Sequence, residues 1–284
     1  MTFVSFNSYF HRLALSACLA LLSFSHLVFS DQDNTLRIGL SPDRQFPPFS
    51  WADHCGQSKP LGVPLDIAGA ALTQLGISYQ WQVRAADIPP ASLFASMGKD
   101  GLDATILPGN RENDSWIKVS EPVFMMRMSV FVRIESRQDL AELGDLADNK
   151  GLYLVGRASP GFIALKTAHA TALAGLDFNG NFDQVVKQLK NGEVDYFITD
   201  RSVGSVFLVE RGLTHEVVRS SADLNVNIPL YLYISTKSPY AARAADISKQ
   251  LTRLIKTGEA AFLMRKNMLQ WMALRHQGGC GGAY

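Results

Sequence analysis

The sequence has few cysteines, no run of like charges and no recognisable metal or phosphate motif. Its 284 residues include three cysteines, and neither Cys-x-x-Cys nor His-Glu-x-x-His occurs. The spacing therefore gives no support to a zinc site, and His54 beside Cys55 is too little to indicate one. We see no phosphate-binding glycine loop and no Ser-His-Asp arrangement, so hydrolase, kinase and metalloenzyme functions have little support. We expect no cofactor and no metal.

Charge is almost balanced. The net charge is +1, and the chain is 47% hydrophobic and 19% charged. This composition is typical of a globular protein with one large domain or two lobes. Nothing indicates binding to nucleic acid or to an anionic membrane surface.

The first 30 residues resemble a secretory signal peptide. Arg12 is followed by an apolar run from Leu13 to Phe29, and no acidic residue precedes Asp31. Val28 and Ser30 are small enough for a signal-peptidase site, so we predict cleavage near Ser30 and a periplasmic mature protein. Without Arg12 the mature chain has 26 basic and 26 acidic residues.

Two alternatives for this segment stay open. It could be a membrane anchor, although a run of roughly 17 residues is at the short limit for spanning a bilayer. The stretch Leu15–Cys18 matches a lipoprotein cleavage box, but the apolar run continues well past Cys18.

Two cysteines remain in the mature chain, Cys55 and Cys280. An oxidising compartment allows them to pair, and closing so long a loop would stabilise the fold by about 4–5 kcal/mol. We predict this disulfide; two free thiols are the alternative.

A diverged internal repeat predicts the architecture. Leu93–Leu107 reads LFASMGKDGLDATIL and Gln184–Ile198 reads QVVKQLKNGEVDYFI. Each predicts an amphipathic helix, a C-cap at Lys-Asp-Gly or Lys-Asn-Gly, and a strand that follows an Asp. So short a join between helix and strand indicates α/β layers with parallel strands, and two copies indicate two similar lobes.

Other segments complete this prediction. We predict a helix over 65–75 and strands over 35–40, 129–134, 152–155 and 229–235. A last helix begins near Ala241, is interrupted at Gly258 and continues to about Ala273. The resulting fold class is α/β, with 31–126 and 230–284 in lobe 1, 127–229 in lobe 2, and two strands crossing between them as a hinge. Ligands usually bind in the cleft between such lobes.

The order of several short segments resembles the periplasmic solute-binding proteins of family 3. The segments are LRIGLSPDRQFPPFSW, GVPLDIAGAAL, GLDATI with NREND and VSEPVF, GLYLVGRASPG, NGEVDYFITD and YLYISTKSP, and they span nearly all of Leu36–Met268. The resemblance implies a two-lobed fold of type II that closes on a small polar solute, an amino acid or a related compound. It also implies delivery to an ABC permease, and we expect a monomer.

The resemblance also implies site residues. Phe46 stands where the family places an aromatic ring on the solute, and Trp51 follows nearby. Phe49, between them, we expect in the core. Ser159 matches a hydroxyl position that grips the solute carboxylate, although a helix N-cap before Pro160 explains it equally well.

Charged residues would hold the two ends of an amino acid. Asp200 matches the acid that binds the α-ammonium group; a pair with Arg201 or a helix cap is the alternative. Arg111 is the candidate for the α-carboxylate, because a guanidinium binds a carboxylate through two hydrogen bonds. Its spacing departs from the family pattern, so a surface role stays open for Arg111, and Arg157 could share the task.

Two other functions compete with solute delivery. One is an enzyme on the same fold, similar to cyclohexadienyl dehydratase, with Asp200 or Glu121 as general acid. No acid–base pair stands out, so we expect a protein without catalytic activity. The other is a sensor input that passes its solute-bound form to a receptor.

Overall fold

The computed structural model describes residues 34–40, 47–49, 51–53, 59–83, 90–98, 101–109, 114–154 and 159–276. The described residues from Leu36 onward form one compact unit. Several sequence predictions lie outside the described residues: the signal peptide with Cys18, the solute residues Phe46, Arg111 and Arg157, and the cysteines Cys55 and Cys280.

The described residues form strands and helices in alternation. The strands are β1 (Thr35–Leu40), β2 (Trp51–Asp53), β3 (Lys59–Leu61), β4 (Ser78–Val83), β5 (Ala104–Pro108), β6 (Trp116–Lys118), β7 (Phe124–Arg133), β8 (Gly151–Tyr153), β9 (Leu176–Phe178), β10 (Tyr196–Asp200), β11 (Val217–Arg219) and β12 (Asn227–Ser235). The helices are α1 (Val63–Gln74), α2 (Pro90–Ser96), α3 (Pro160–Ala168), α4 (Phe182–Lys190), α5 (Arg201–Glu210), α6 (Ala244–Lys256) and α7 (Glu259–His276). Short 3₁₀ turns occur at Gly144–Leu146 and Ala241–Arg243.

One mixed sheet runs through the described fold in the order β4-β1-β5-β12-β7-β10-β8-β9. β6 adds to β12 and β11 adds to β7, while β2 and β3 pair separately. β1 pairs with β5 in parallel, and so does β8 with β10. The two long strands, β7 and β12, pair antiparallel at the centre, with Asn227 opposite Arg127 and Leu230 opposite Phe124. They therefore join the two halves of the sheet.

Each half of the sheet has its own core. In the first half, Ile38 and Leu232 pack with Leu72 of α1 and Leu251 of α6. The second half buries side chains on both faces. One face contains Val130 and Tyr153, and the other contains Phe131 and Phe197 under α4 and α5. Buried faces on both sides are typical of a sheet covered by helices.

Most predicted elements are present. β1 has the predicted bounds, and β5 and β10, the strands of the internal repeat, each pair in parallel with a neighbour. Gly192 has a positive φ of 72° directly after α4, as its C-cap role requires, and Gly258 separates α6 from α7 with φ 78°. The first copy differs from the prediction. α2 ends at Ser96, so the glycine that follows the helix end is Gly98 and not Gly101. The Gly98 N–H bonds to the Leu102 carbonyl at 2.8 Å.

Candidate functional site

The ends of β5, β8 and β10 and the start of α3 lie close together. A Cβ atom built on Gly109, after β5, would lie 4.0 Å from the Pro160 Cβ at the start of α3. The two halves of the sheet therefore face each other at this edge. Ligands of α/β sheets usually bind beyond the carboxyl ends of the strands, so this edge is the candidate site.

Asp200 ends β10 and caps α5. Its Oδ1 accepts hydrogen bonds from the N–H groups of Ser202 at 2.7 Å and Val203 at 3.2 Å. Its Oδ2 accepts from the Arg127 N–H at 2.7 Å, which connects the carboxylate to β7. These bonds correspond to the helix-cap alternative that the sequence left open, and no ion pair with Arg201 is present among the described residues.

Burial changes the acidity of Asp200. The residue is only 2% exposed. Burial raises the pKa of Asp200 from 3.8 to about 6, since the charged form loses water, and the backbone N–H donors oppose this shift without cancelling it. A carboxylate held in this way gains from a nearby cation such as an ammonium group.

Ser159 is the N-cap of α3. Its Oγ accepts a hydrogen bond from the Phe162 N–H at 3.2 Å, and Pro160 occupies the first turn. The cap role is therefore present at Ser159. A hydroxyl oxygen that accepts from the backbone still has its own O–H to donate, so this geometry is compatible with a contact to a carboxylate.

Sequence reasoning missed Tyr153. This residue ends β8 and is 2% exposed, with its hydroxyl 3.8 Å from the Met128 Sδ. Burial raises the pKa of Tyr153 to about 12; a hydrogen bond with Ser159 opposes the shift, and the nearby charge of Asp200 adds to it. Tyr153 therefore lies close to both predicted site residues. Its place at the end of a predicted strand, just before the Gly-Arg-Ala-Ser loop, is the signal that could have indicated it.

Tyr233 was also missed, because it reads as an ordinary strand residue. It is fully buried on β12, and its hydroxyl donates to the Gly109 carbonyl at 2.5 Å. The Gly109 N–H donates to the Pro229 carbonyl at 2.8 Å. Two bonds from the region of β12 therefore hold the backbone at the point where the chain enters the segment that contains Arg111.

Trp51 lies in an apolar cluster. It is 3% exposed and packs edge-on against Trp271 of α7, with ring centroids 5.8 Å apart, beside Val206 of α5. The structure therefore places its ring in the packing between α5 and α7. Phe49 is 4% exposed and packs on Phe124 at 4.8 Å, which is the core placement expected from the sequence.

Within the described residues, no group of three or more His, Cys, Asp or Glu side chains is arranged to hold a metal ion. In the same part of the chain, every helix is too short or too polar to cross a membrane.

Comparison with solved structures identifies the architecture. The chain superposes on the GluR0 ligand-binding core in complex with L-glutamate with a TM-score of 0.62 and 12% identity, covering 82% of this chain and 98% of the other. It superposes on an amino acid ABC transporter substrate-binding protein from Streptococcus pneumoniae, bound to L-arginine, with a TM-score of 0.60 and 16% identity, covering 84% and 95%. It also superposes on a histidine kinase sensor domain similar to periplasmic binding proteins, with a TM-score of 0.56 and 20% identity, covering 83% of this chain and 97% of the other.

The chain has the type II periplasmic binding fold. The predicted fold class, with two α/β lobes and two connecting strands, is confirmed. In this fold β7 and β12 are the hinge strands. No family model and no curated protein sequence matches the chain. At these identities the likeness to solved structures establishes the fold.

Proposed function

We propose that this protein is an extracytoplasmic solute-binding protein that captures an amino acid or a related small polar solute between its lobes and delivers it to an ABC permease. The observation that carries the proposal is the position of Asp200. A buried carboxylate at the end of a strand faces the same edge as Ser159 and Gly109, in a fold shared with proteins crystallised with L-arginine and L-glutamate.

In this proposal Asp200 binds the α-ammonium group of the solute, and the Ser159 hydroxyl with the Gly161 N–H at the start of α3 binds its carboxylate. Arg111 and Phe46 complete the site as the carboxylate clamp and the aromatic contact. The lobe boundaries proposed from the sequence fall within or beside β7 and β12, at 126/127 and 229/230. We also propose that residues 1–30 direct secretion, that the protein is a monomer, and that it has no catalytic activity.

The test is a thermal-shift screen of the chain from Asp31 onward, unfolded and refolded beforehand to remove carried-over solute. The screen contains amino acids, small amines and small organic acids. We expect a free amino acid to raise the melting temperature with concentration, because it binds only the folded state. Calorimetry with Arg111→Ala and Asp200→Asn then measures the loss of affinity. Arg137→Ala, an exposed arginine away from the cleft, is the matched control.

A protein that responds to no amino acid would contradict the proposal. Turnover of prephenate or arogenate by the purified protein would favour the dehydratase-like alternative. A sensor input is the second candidate, and the likeness to a histidine kinase sensor domain favours it. It predicts the same solute binding but a partner other than a permease, so capture of the permease complex by the solute-loaded protein separates the two functions.

A further inference from the structure

A cavity of about 480 Å³ lies beside the hinge strands; Gly109, Tyr153, Ser159 and Asp200 are not among its lining residues, although Arg127 and Arg201 adjoin Asp200. Met125, Arg127 and Ser129 line it, and they share one face of β7 because alternate residues of a strand point the same way. Met128 contributes to its lining too, but the Met128 Sδ lies near the Tyr153 hydroxyl, toward the opposite face. Three of the four β7 residues that line the cavity therefore point away from Tyr153, and Met128 borders both regions.

Three arginines on three different elements converge on this cavity: Arg127 of β7, Arg201 of α5 and Arg219 of β11. All three are exposed, and none has a carboxylate within ion-pair distance among the described residues. Four other arginines of the described chain have such partners, Arg37 with Asp103, Arg133 with Glu135, Arg211 with Asp183, and Arg243 with Asp246, whereas Arg137, Arg253 and Arg265 lack them but lie outside this cavity.

The cavity has one acidic residue in its lining, Asp223. Its Oδ1 accepts a hydrogen bond from the Asn225 N–H at 2.9 Å and so supports the local turn, in which Asn225 has a φ of 45°. Three arginines and one aspartate leave a formal charge of +2 around the cavity, in a chain whose total is +1. The amides of Asn225 and Asn227 add neutral hydrogen-bonding groups.

Like charges that share a concave surface repel one another, and a bound anion removes that cost. Guanidinium groups match carboxylate and phosphate oxygens through paired hydrogen bonds. Arg201 opens the ten-residue helix α5, directly after the capping residue Asp200. The volume lies in the range of pockets for small organic ligands, which exceeds the space that a single inorganic ion needs.

We propose that this cavity binds a small organic anion with two or more carboxylate or phosphate groups, at a site separate from the solute cleft. Arg127 and Asn227 lie opposite each other on the two hinge strands, so the anion contacts the strands that connect the lobes. The proposal does not depend on the identity of the solute in the cleft.

The test is calorimetry on the refolded chain from Asp31 at constant ionic strength. The probes are citrate and succinate as carboxylates, and inorganic phosphate and a sugar bisphosphate as phosphates. We expect one-to-one binding of citrate or the bisphosphate, stronger than that of succinate or phosphate. Arg127→Gln and Arg219→Gln should each weaken this binding by about tenfold or more. The comparison between carboxylate and phosphate probes identifies the class of anion.

Arg137→Gln is the control, because Arg137 is also exposed but lies outside the cavity. It should leave the affinity unchanged, and the melting temperatures of all variants without anion show whether each one folds. Failure of every probe to bind at millimolar concentration would overturn the proposal. So would an equal loss in Arg137→Gln, which indicates attraction by net charge alone. Displacement of the anion by a saturating amino acid would place the anion in the cleft and also overturn it.

Discussion

At the scale of single residues, the candidate site is built from side chains that cap helices. Asp200 and Ser159 both cap helices, and both lie at the edge where a solute would bind. A short polar side chain before a helix satisfies N–H groups that have no partner inside the helix. The local sequence predicts such caps well, so these two positions were accessible without a structure.

The acidity of Asp200 leads to a prediction about pH. The pKa of Asp200 is about 6 in the folded protein and 3.8 as the reference value. Below pH 6 the side chain is increasingly neutral and attracts an ammonium group less. We expect the affinity for an amino acid solute to fall by nearly tenfold per pH unit below pH 6, and to be nearly constant from pH 7 to 8. Calorimetry from pH 4.5 to 8 measures this dependence.

The sign for stability is opposite. Because the pKa of Asp200 is raised on folding, ionisation costs the folded state free energy, and the solute-free protein loses stability as the pH rises from about 4 to about 6. Asp200→Asn is the control. It should bind the solute weakly, and neither its affinity nor its stability should show the pH dependence that Asp200 causes. An affinity that is the same at pH 5 and pH 7.5 would remove Asp200 from the ammonium site.

At the scale of elements, the packing of α5 on the sheet positions Asp200. A Cβ atom built on Gly204 of α5 would lie 2.3 Å from the Phe131 Cζ, so the helix packs directly on the ring. Phe131 is stacked on Phe197 at 5.0 Å with an interplanar angle of 9°, and both are buried. The ring therefore has little room to move away.

This contact predicts the effect of Gly204→Ala. The added methyl group must displace the helix or the stacked rings, and overpacking of a well-packed core costs about 1–3 kcal/mol. We expect that loss in the free energy of unfolding, measured by denaturant titration. We also expect weaker solute binding, because Asp200 is the N-cap of α5 and a shift of the helix would move it. Gly144→Ala is the matched control, since a Cβ there has no heavy atom within 4 Å. Equal stability of the two variants would contradict the packing argument.

At the scale of the whole molecule, α7 connects distant parts of the chain. Trp271 packs against Trp51, and its indole N–H donates to the Glu210 carboxylate of α5 at 3.0 Å. The terminal helix therefore contacts both the early β2–β3 hairpin and the second half of the sheet. Such a contact limits how far α5 can move relative to α7.

We expect Trp271→Ala to lower the free energy of unfolding by about 3–5 kcal/mol, since it leaves a cavity beside Trp51 and Val206. Phe262→Ala on the same helix is the control. Phe262 is 59% exposed, so its loss should change stability by about 0.5 kcal/mol or less. Denaturant titration measures both values. A similar loss of unfolding free energy in the two variants would argue against a stabilising contact between α7 and α5.

The predicted disulfide also acts on the whole chain. Cys55 follows β2 and Cys280 follows α7, and Trp51 and Trp271 in those two elements are in contact. We therefore expect no free thiol when mature, unreduced protein is denatured and titrated with a thiol reagent. Two free thiols would disprove the pairing. Reduction of the paired protein should lower its stability by about 4–5 kcal/mol.

The sequence alone determined the features that depend on neighbours along the chain. The bounds of β1, the repeat of helix and strand, the interruption at Gly258 and the caps at Ser159 and Asp200 follow from short-range hydrogen bonds and from hydrophobic period. The two-lobed α/β fold followed from the order of these elements and from the resemblance to family 3.

Only the tertiary structure decided which distant side chains meet. Trp51 contacts Trp271, Tyr153 lies close to Ser159 and Asp200, and three arginines of separate elements line one cavity. An aromatic ring in a loop has the same local sequence whether it faces a solute or a core, and an arginine at a strand end has the same pattern with or without an acidic partner. These outcomes depend on strand order and helix packing, which bring together residues whose separation along the chain carries no local signal.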